Sequence, residues 1–254
     1  MADLVALIFD FDGTIAETER DGHRVAYNAA FDESGVGWNW DVPTYGALLA
    51  IAGGKERLAY FLAHEHPEID VGKRADLVAH LHERKRTYFD GIADRLAFRP
   101  GVRRLIAEAR AAGIRCAIAT TAAPSGVDAL LRRDPVFAAS FECIVAGDMV
   151  ANKKPAPDIY LLALERLAVA ADAAVAFEDS AVGLRSARAA NIATIVTPSV
   201  YTSDENFHGA ACIVSHLGET DEAAHVLSGP PMLGQTIDLA YVRSLVSCGP
   251  ARST

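Results

Sequence analysis

The sequence predicts a doubly wound α/β domain with a small helical domain inserted after its first strand. Three observations carry this. Short, continuous apolar runs recur along the chain, as in strands buried on both faces of a parallel sheet. Segments of helical spacing separate them, which is the alternation of βαβ units. Residues 18–92 differ, because they hold helical spacing without a buried-strand run.

The strand runs, in order, are Leu4–Phe9, Cys116–Ala119, Cys143–Ala146, Ala174–Phe177, Ala193–Val196 and Cys212–Val214. In the insert, Arg24–Phe31, Tyr45–Ala52, Arg57–Ala63 and Ala75–Phe89 are spaced as helices and broken by Gly and Pro. A helix is expected over Pro100–Gly113, with Val102, Leu105, Ile106 and Ala109 on one face, Pro opening it and Gly closing it. A second starts near Pro157-Asp158 and runs through Tyr160, Leu161, Leu164 and Leu167. A third follows Ser180 with Val182, Leu184, Ala187 and Ala190. The tail carries Gly-Pro-Pro and one docked helix over Ile237–Leu245, and the last few residues are expected to be disordered.

At 254 residues, 51% apolar and 22% charged, the chain has ample material for a core. Its formal charge of -9, from 24 Lys+Arg and 33 Asp+Glu, excludes a general nucleic-acid or anionic-membrane binder. An anionic small molecule stays open, since it needs only a local positive site. Apolar runs fall far short of the roughly 18 residues of a membrane span. The start lacks a basic segment and a cleavage site, so no signal peptide is expected. Cys116, Cys143, Cys212 and Cys248 form no CxxC and read as reduced thiols, which suits a cytoplasmic protein. With no heptad and no apolar interface stripe, a monomer is expected.

Ligands of open α/β sheets sit beyond the carboxyl ends of the strands. The first strand is followed there by Asp10-Phe-Asp-Gly-Thr14, the second by Thr120-Thr121 and the fourth by Glu178-Asp179-Ser180. Lys153-Lys154-Pro-Ala-Pro-Asp158 precedes the fourth. Clustered carboxylates repel one another, and a hard divalent cation such as Mg²⁺ relieves this while leaving room for a phosphate. A carboxylate beside it can attack phosphorus. A lysine and a hydroxyl stabilise the transferring oxygens, and a second carboxyl can move the proton.

In these residues the chain resembles the haloacid dehalogenase (HAD) superfamily: Asp10-Phe-Asp-Gly-Thr14, Thr120, Lys154 and Glu178-Asp179 match its four ordered motifs across residues 4 to about 200. The resemblance implies a Rossmann-like core over 1–16 and 93–226, a helical cap over 17–92 that closes over substrate, and a C-terminal extension over 227–254. It implies Asp10 as nucleophile and metal ligand, Asp12 as general acid/base with its carbonyl on Mg²⁺, and Thr120 and Lys154 at the phosphoryl group. Asp179 becomes a metal ligand and Glu178 a direct or outer one. Asp12 points to phosphoryl transfer, because the dehalogenases lack it. Glu17–His23, Trp38-Asn-Trp40, Tyr45, Gly53-Gly-Lys-Glu-Arg57 and Glu83–Arg86 look like the CbbY type, which implies hydrolysis of xylulose-1,5-bisphosphate, a Rubisco inhibitor in Calvin-cycle organisms. Glu19, Tyr45, Gly53, Gly54, Lys55 and Thr121 are then the substrate-binding candidates. The two glycines allow close backbone approach to an anion, and Lys55 adds charge.

Simpler readings stand beside these. Thr121 can merely end a strand, and Lys153 is a solvated lysine. Lys55 can be a surface residue, and Arg84-Lys85-Arg86 a solvated helix face. His64-Glu65-His66 reads as a loop before Pro67 rather than a metal site, His23 as a substrate contact or a helix cap, and Trp38 and Trp40 as cap core. Two alternative functions share the motifs. One is a β-phosphoglucomutase-like mutase that returns the phosphoryl group to a second hydroxyl. The other is a phosphate-sensing protein without catalysis.

Overall fold

The computed structural model describes residues 3–51 and 53–247. Cys248 and the end of the chain lie outside the described residues. The chain divides into two compact units, one of Met1–Glu17 with Ala97–Thr254 and one of Thr18–Leu96.

The first unit is built on a sheet of β1 (Ala6–Phe9), β2 (Arg115–Ala119), β3 (Cys143–Val145), β4 (Ala174–Glu178), β5 (Ala193–Val196), β6 (Cys212–Val214) and β7 (Val226–Ser228). Their order is β3-β2-β1-β4-β5-β6-β7, parallel from β1 to β6, with β7 antiparallel at the edge. The six apolar runs are thus the six parallel strands. β7 escaped the sequence reading because Val-Leu-Ser at an exposed edge has neither a long run nor alternation, and Leu227 is 60% exposed.

The helices of this unit are Val102–Ala111, Pro124–Leu131, Pro135–Ala138, Asp158–Leu167, Ala181–Ala189 and Leu239–Ser247. Ile159, Tyr160, Ala163, Leu164 and Leu167 pack with Ala187 against Ile8 and the alanines of β1, β2 and β4: Ala6, Ala117, Ala119, Ala174 and Ala176. In the helix over Val102–Ala111, Val102, Leu105, Ile106 and Ala109 are buried as their spacing predicts. Two apolar residues read into helices do not join the core: Leu161 and Val182 are exposed. Burial pushes the Cys116 thiol up to about 12 and also raises Cys143 and Cys212. All three are free. Among the described residues no helix is long and apolar enough to cross a membrane.

The second unit is helical. A π-helical turn, Thr18–His23, leads into α1 (Arg24–Glu33), followed by α2 (Val42–Leu48), α3 (Gly54–Glu65) and α4 (Val71–Ile92). In the core unit the numbering continues with α5 (Val102–Ala111), α6 (Pro124–Leu131), α7 (Pro135–Ala138), α8 (Asp158–Leu167), α9 (Ala181–Ala189) and α10 (Leu239–Ser247). Asp41 caps α2, accepting from the Thr44 N–H at 2.8 Å. Trp40 is buried among Tyr27, Phe31, Tyr45 and Phe61 as core of this unit, while Trp38, beside Phe31 and Phe61, is half-buried. His64 and Glu65 end α3 rather than forming a loop. His64 stacks on Tyr60 and His66 on Trp38, so they share no site.

Candidate active site

The sheet order reverses around β1 and β4, so their carboxyl ends open the crevice where open α/β sheets bind ligands. Phe9 pairs with Phe177 in register and stacks on it at 4.4 Å. The Asp10 N–H donates to Phe177 O at 2.9 Å. This register sets Asp10 beside Glu178 and Asp179, and one oxygen from each of the three carboxylates lies within 4.8 Å of the others. All three residues are buried.

Lys154, on the loop between β3 and α8, enters this acidic cluster. Its Nζ donates to Asp10 Oδ1 and to Glu178 Oε1, each at 2.6 Å. Burial opposes its charge, but the Asp10 and Glu178 carboxylates outweigh that and hold Lys154 above the ordinary lysine range. Burial raises both Glu178 and Asp179. The Asp10 charge adds to the rise at each, and Lys154 opposes it at Glu178. Tyr160, buried in α8, donates to Glu178 Oε1 at 2.6 Å, and its ring lies 5.2 Å from Lys154 Nζ. Sequence reading missed Tyr160, since a tyrosine on a helix's apolar face looks like any core aromatic.

Thr120 follows β2, with its N–H on Val145 O at 3.0 Å. It is buried, and its Oγ1 accepts from the Ala122 N–H at 3.0 Å, so its proton can be given to a ligand. Thr121 is exposed and Lys153 is solvated. Asp12 is half-buried, and the Gly13 N–H closes its turn onto Ala16 O at 2.8 Å. Gly13 has φ +80, which favours glycine, and a Cβ there would overlap the Asp179 carboxylate.

The buried donor set fits a hard divalent cation. It is all oxygen, it holds three carboxylates against one lysine, and Glu178 Oε2 is buried without a hydrogen-bond partner among the described residues.

In the helical unit Glu19 and Tyr45 meet directly. Tyr45 Oη donates to Glu19 Oε2 at 2.5 Å and accepts from Arg57 Nη1 at 3.0 Å. Arg57, buried, also donates to Leu48 O at 3.1 Å. Gly53 has φ +92 at the start of α3, Tyr27 Oη donates to Gly54 O at 2.9 Å, and Lys55 is exposed in the first turn. His23 makes no side-chain cap bond; its Nδ1 lies 2.9 Å from Lys85 Nζ. The solvated-face reading of Arg84-Lys85-Arg86 fails at its centre, where Lys85 is buried over Tyr27 and Phe89. Arg84 pairs with Glu33 and Arg86 with Glu83.

A sheet of this topology with an inserted helical unit, and with Asp10, Lys154, Glu178 and Asp179 gathered at its switch point, describes one class of hydrolase. Residues 4–191 match the haloacid dehalogenase-like hydrolase family, and the chain belongs to it. Within the family it is similar to the CbbY proteins. It is 45% identical to the CbbY protein of Cupriavidus necator, over 94% of this chain and 95% of that one. Identity to CbbY of Cereibacter sphaeroides is 47%, over 84% of this chain and 93% of the relative. The crystal structure of a CbbY variant from Rhodobacter sphaeroides in complex with xylulose-(1,5)bisphosphate superposes with a TM-score of 0.72 at 45% identity, covering 84% of this chain and 94% of that one.

Proposed function

We propose that this protein is a Mg²⁺-dependent phosphatase that removes a phosphate from a sugar bisphosphate, xylulose-1,5-bisphosphate, through an aspartyl-phosphate on Asp10. The observation that carries the chemistry is Lys154 bound at 2.6 Å to both Asp10 and Glu178 in a buried carboxylate cluster. The likeness to CbbY, one member of which was crystallised with that bisphosphate, supports the substrate.

In this reading Asp10, the Asp12 carbonyl and Asp179 hold Mg²⁺, with Glu178 bound to it directly or through water. When bound, the ion supplies positive charge to the phosphoryl oxygens and draws the carboxylates together. Asp10 attacks phosphorus, forming the P–O bond to its carboxylate as the bond to the sugar oxygen breaks, and Asp12 gives that oxygen a proton. Asp12 then takes a proton from water, whose oxygen attacks phosphorus, releases phosphate and restores Asp10. The Thr120 hydroxyl and the Lys154 ammonium bind the transferring oxygens, where developing charge rewards fixed donors most. Glu19, Tyr45, Gly53, Gly54 and Lys55 of the helical unit hold the sugar and the phosphate that stays, and Thr121 lies next to the phosphoryl-binding Thr120. Core and cap residues are thus assigned as separate halves of one task, with the core at 1–16 and 93–226, the cap at 17–92 and the extension at 227–254. The protein is proposed to work as a cytoplasmic monomer.

The test is phosphate release, with and without Mg²⁺, from xylulose-1,5-bisphosphate, ribulose-1,5-bisphosphate, fructose-1,6-bisphosphate and β-glucose-1-phosphate, with Asp10→Asn as control. A preference for the first by more than tenfold in kcat/KM, about 1.4 kcal/mol, is expected. Isomerisation of β-glucose-1-phosphate without free phosphate would overturn the reading in favour of a mutase.

A further inference from the structure

Arg99 is a buried arginine of the core unit that the proposed chemistry does not use. It stands where the chain re-enters that unit. Phe98 bridges to Ala16, and the Arg99 N–H donates to Ile15 O at 2.8 Å. The guanidinium then serves segments that are far apart in sequence. Nη1 donates to Gly13 O and to Thr197 O, the latter at 2.6 Å. Nη2 donates to Pro198 O at 2.9 Å and to Ser215 O at 3.3 Å, and Nε lies 3.3 Å from Glu17 Oε1. The loops after β1, β5 and β6 therefore share one side chain. Only a rigid planar fork with five donors fits this set of acceptors; an ammonium on a flexible stem does not.

The acceptor with chemical consequence is Gly13 O. The peptide between Asp12 and Gly13 is fixed by the Gly13 N–H on Ala16 O at 2.8 Å, and the next peptide by Arg99. Between these two anchors Gly13 takes φ +80 and lies against the Asp179 carboxylate, so closely that a Cβ would overlap it. The direction of the Asp12 carbonyl, and the spacing between the Asp10–Asp12 segment and Asp179, are both set at this glycine.

We propose that Arg99 is a positioning residue which, through Gly13 O, holds the Asp10–Asp12 segment against Asp179 and so fixes the oxygen set that takes the divalent cation. The inference rests on the function proposed above. A side chain that only stabilised the fold would change the melting temperature and leave the ion affinity of the folded protein alone. A positioning residue changes the ion affinity.

The experiment is Mn²⁺ binding to the ion-free full chain, followed by the EPR signal of the free ion, with the melting temperature of each variant recorded beside it. Arg99→Lys keeps the charge and loses the fork. It is expected to fold and to bind Mn²⁺ about tenfold more weakly, the scale on which groups behind a metal ligand act. Wild-type affinity in a folded Arg99→Lys protein overturns the proposal. Should that variant not fold, Glu17→Ala decides, because it removes the carboxylate that holds Nε and so lets the fork turn away from Gly13 O. About threefold weaker binding is expected there, and unchanged binding overturns the proposal. A wild-type chain that binds no Mn²⁺ would overturn the proposed function itself, and this inference with it.

Discussion

Gly183 in α9 lies so close beneath Glu178 that a Cβ on it would overlap both carboxylate oxygens. Glu178 ends β4 and Gly183 lies early in the helix that follows, so the carboxylate fills the space that a side chain would take. Alanine normally stabilises a helix interior by about 1 kcal/mol over glycine. Here the sign should invert. Gly183→Ala must displace Glu178, and with it the partner of Lys154. A loss of about 1–3 kcal/mol in urea unfolding is expected, the range for overpacking a tight site, together with a higher Mg²⁺ requirement in the phosphate-release assay.

Lys154 is the cation that lets buried Asp10 and Glu178 stand side by side. Lys154→Met keeps the apolar stem and removes the charge. In EDTA the variant should lose about 3–5 kcal/mol, the cost of stranding a buried ionic partner, and added Mg²⁺ should return part of it. Phosphate release should fall by about 10²–10³-fold, as for loss of a donor to developing charge. Near-wild-type turnover would remove Lys154 from the chemistry.

Tyr160 Oη shares Glu178 Oε1 with Lys154, both at 2.6 Å. Tyr160→Phe leaves the packing of α8 intact and removes one charge-assisted bond. About 1.5–3 kcal/mol of stability should be lost. If unfolding shows no change, Lys154 alone satisfies that oxygen.

The carboxylates and the threonine of this site were legible in the sequence because each stands where an apolar strand run ends, while Lys154 lies on the loop between β3 and α8. Asp10, Thr120 and Glu178-Asp179 sit at such ends by simple counting. What stayed hidden acts through tertiary contacts with no local signature. Tyr160 looks like a packing residue of α8. Gly183 looks like a weak spot in a helix. Arg99, one residue before the Pro-Gly that opens α5, carries no pattern that would reveal five acceptors drawn from segments up to 116 residues away. In the helical unit, Arg57 lies within the Gly-Gly-Lys-Glu-Arg run, yet charge alone suggests a solvated arginine. The structure buries it against Tyr45 and Leu48 instead. Lys85 likewise carries no local sign of its burial over Tyr27 and Phe89.

The Tyr45 hydroxyl sits between a carboxylate and a guanidinium, donating to Glu19 and accepting from Arg57. Its pKa is raised by burial first and then by the Glu19 charge, so it keeps its proton throughout the neutral range. Tyr45→Phe takes a partner from both charged groups at once. A loss of about 1–3 kcal/mol is expected in chemical denaturation. If Glu19 and Tyr45 bind substrate as proposed, KM for the bisphosphate should rise more than kcat falls.

Stability of the helical unit should also depend on pH through His23. Burial, and then the nearby Lys85 charge, hold His23 well below the ordinary histidine range in the folded chain. In the unfolded chain it takes a proton near pH 6.5. Between those two values the unfolded state binds more protons, so stability rises with pH there. The contribution is fully present above about pH 6.5 and is lost as pH falls toward the folded value, with a slope below about 1.4 kcal/mol per pH unit. Other groups titrate over the same interval, among them His82, which burial and Lys85 also lower. The measurement is therefore a difference. Urea unfolding of wild type and His23→Gln at pH 5.5 and 7.5 should show a smaller loss on acidification in the variant. Equal losses would mean that His23 takes its proton as readily in the folded chain as in the unfolded one.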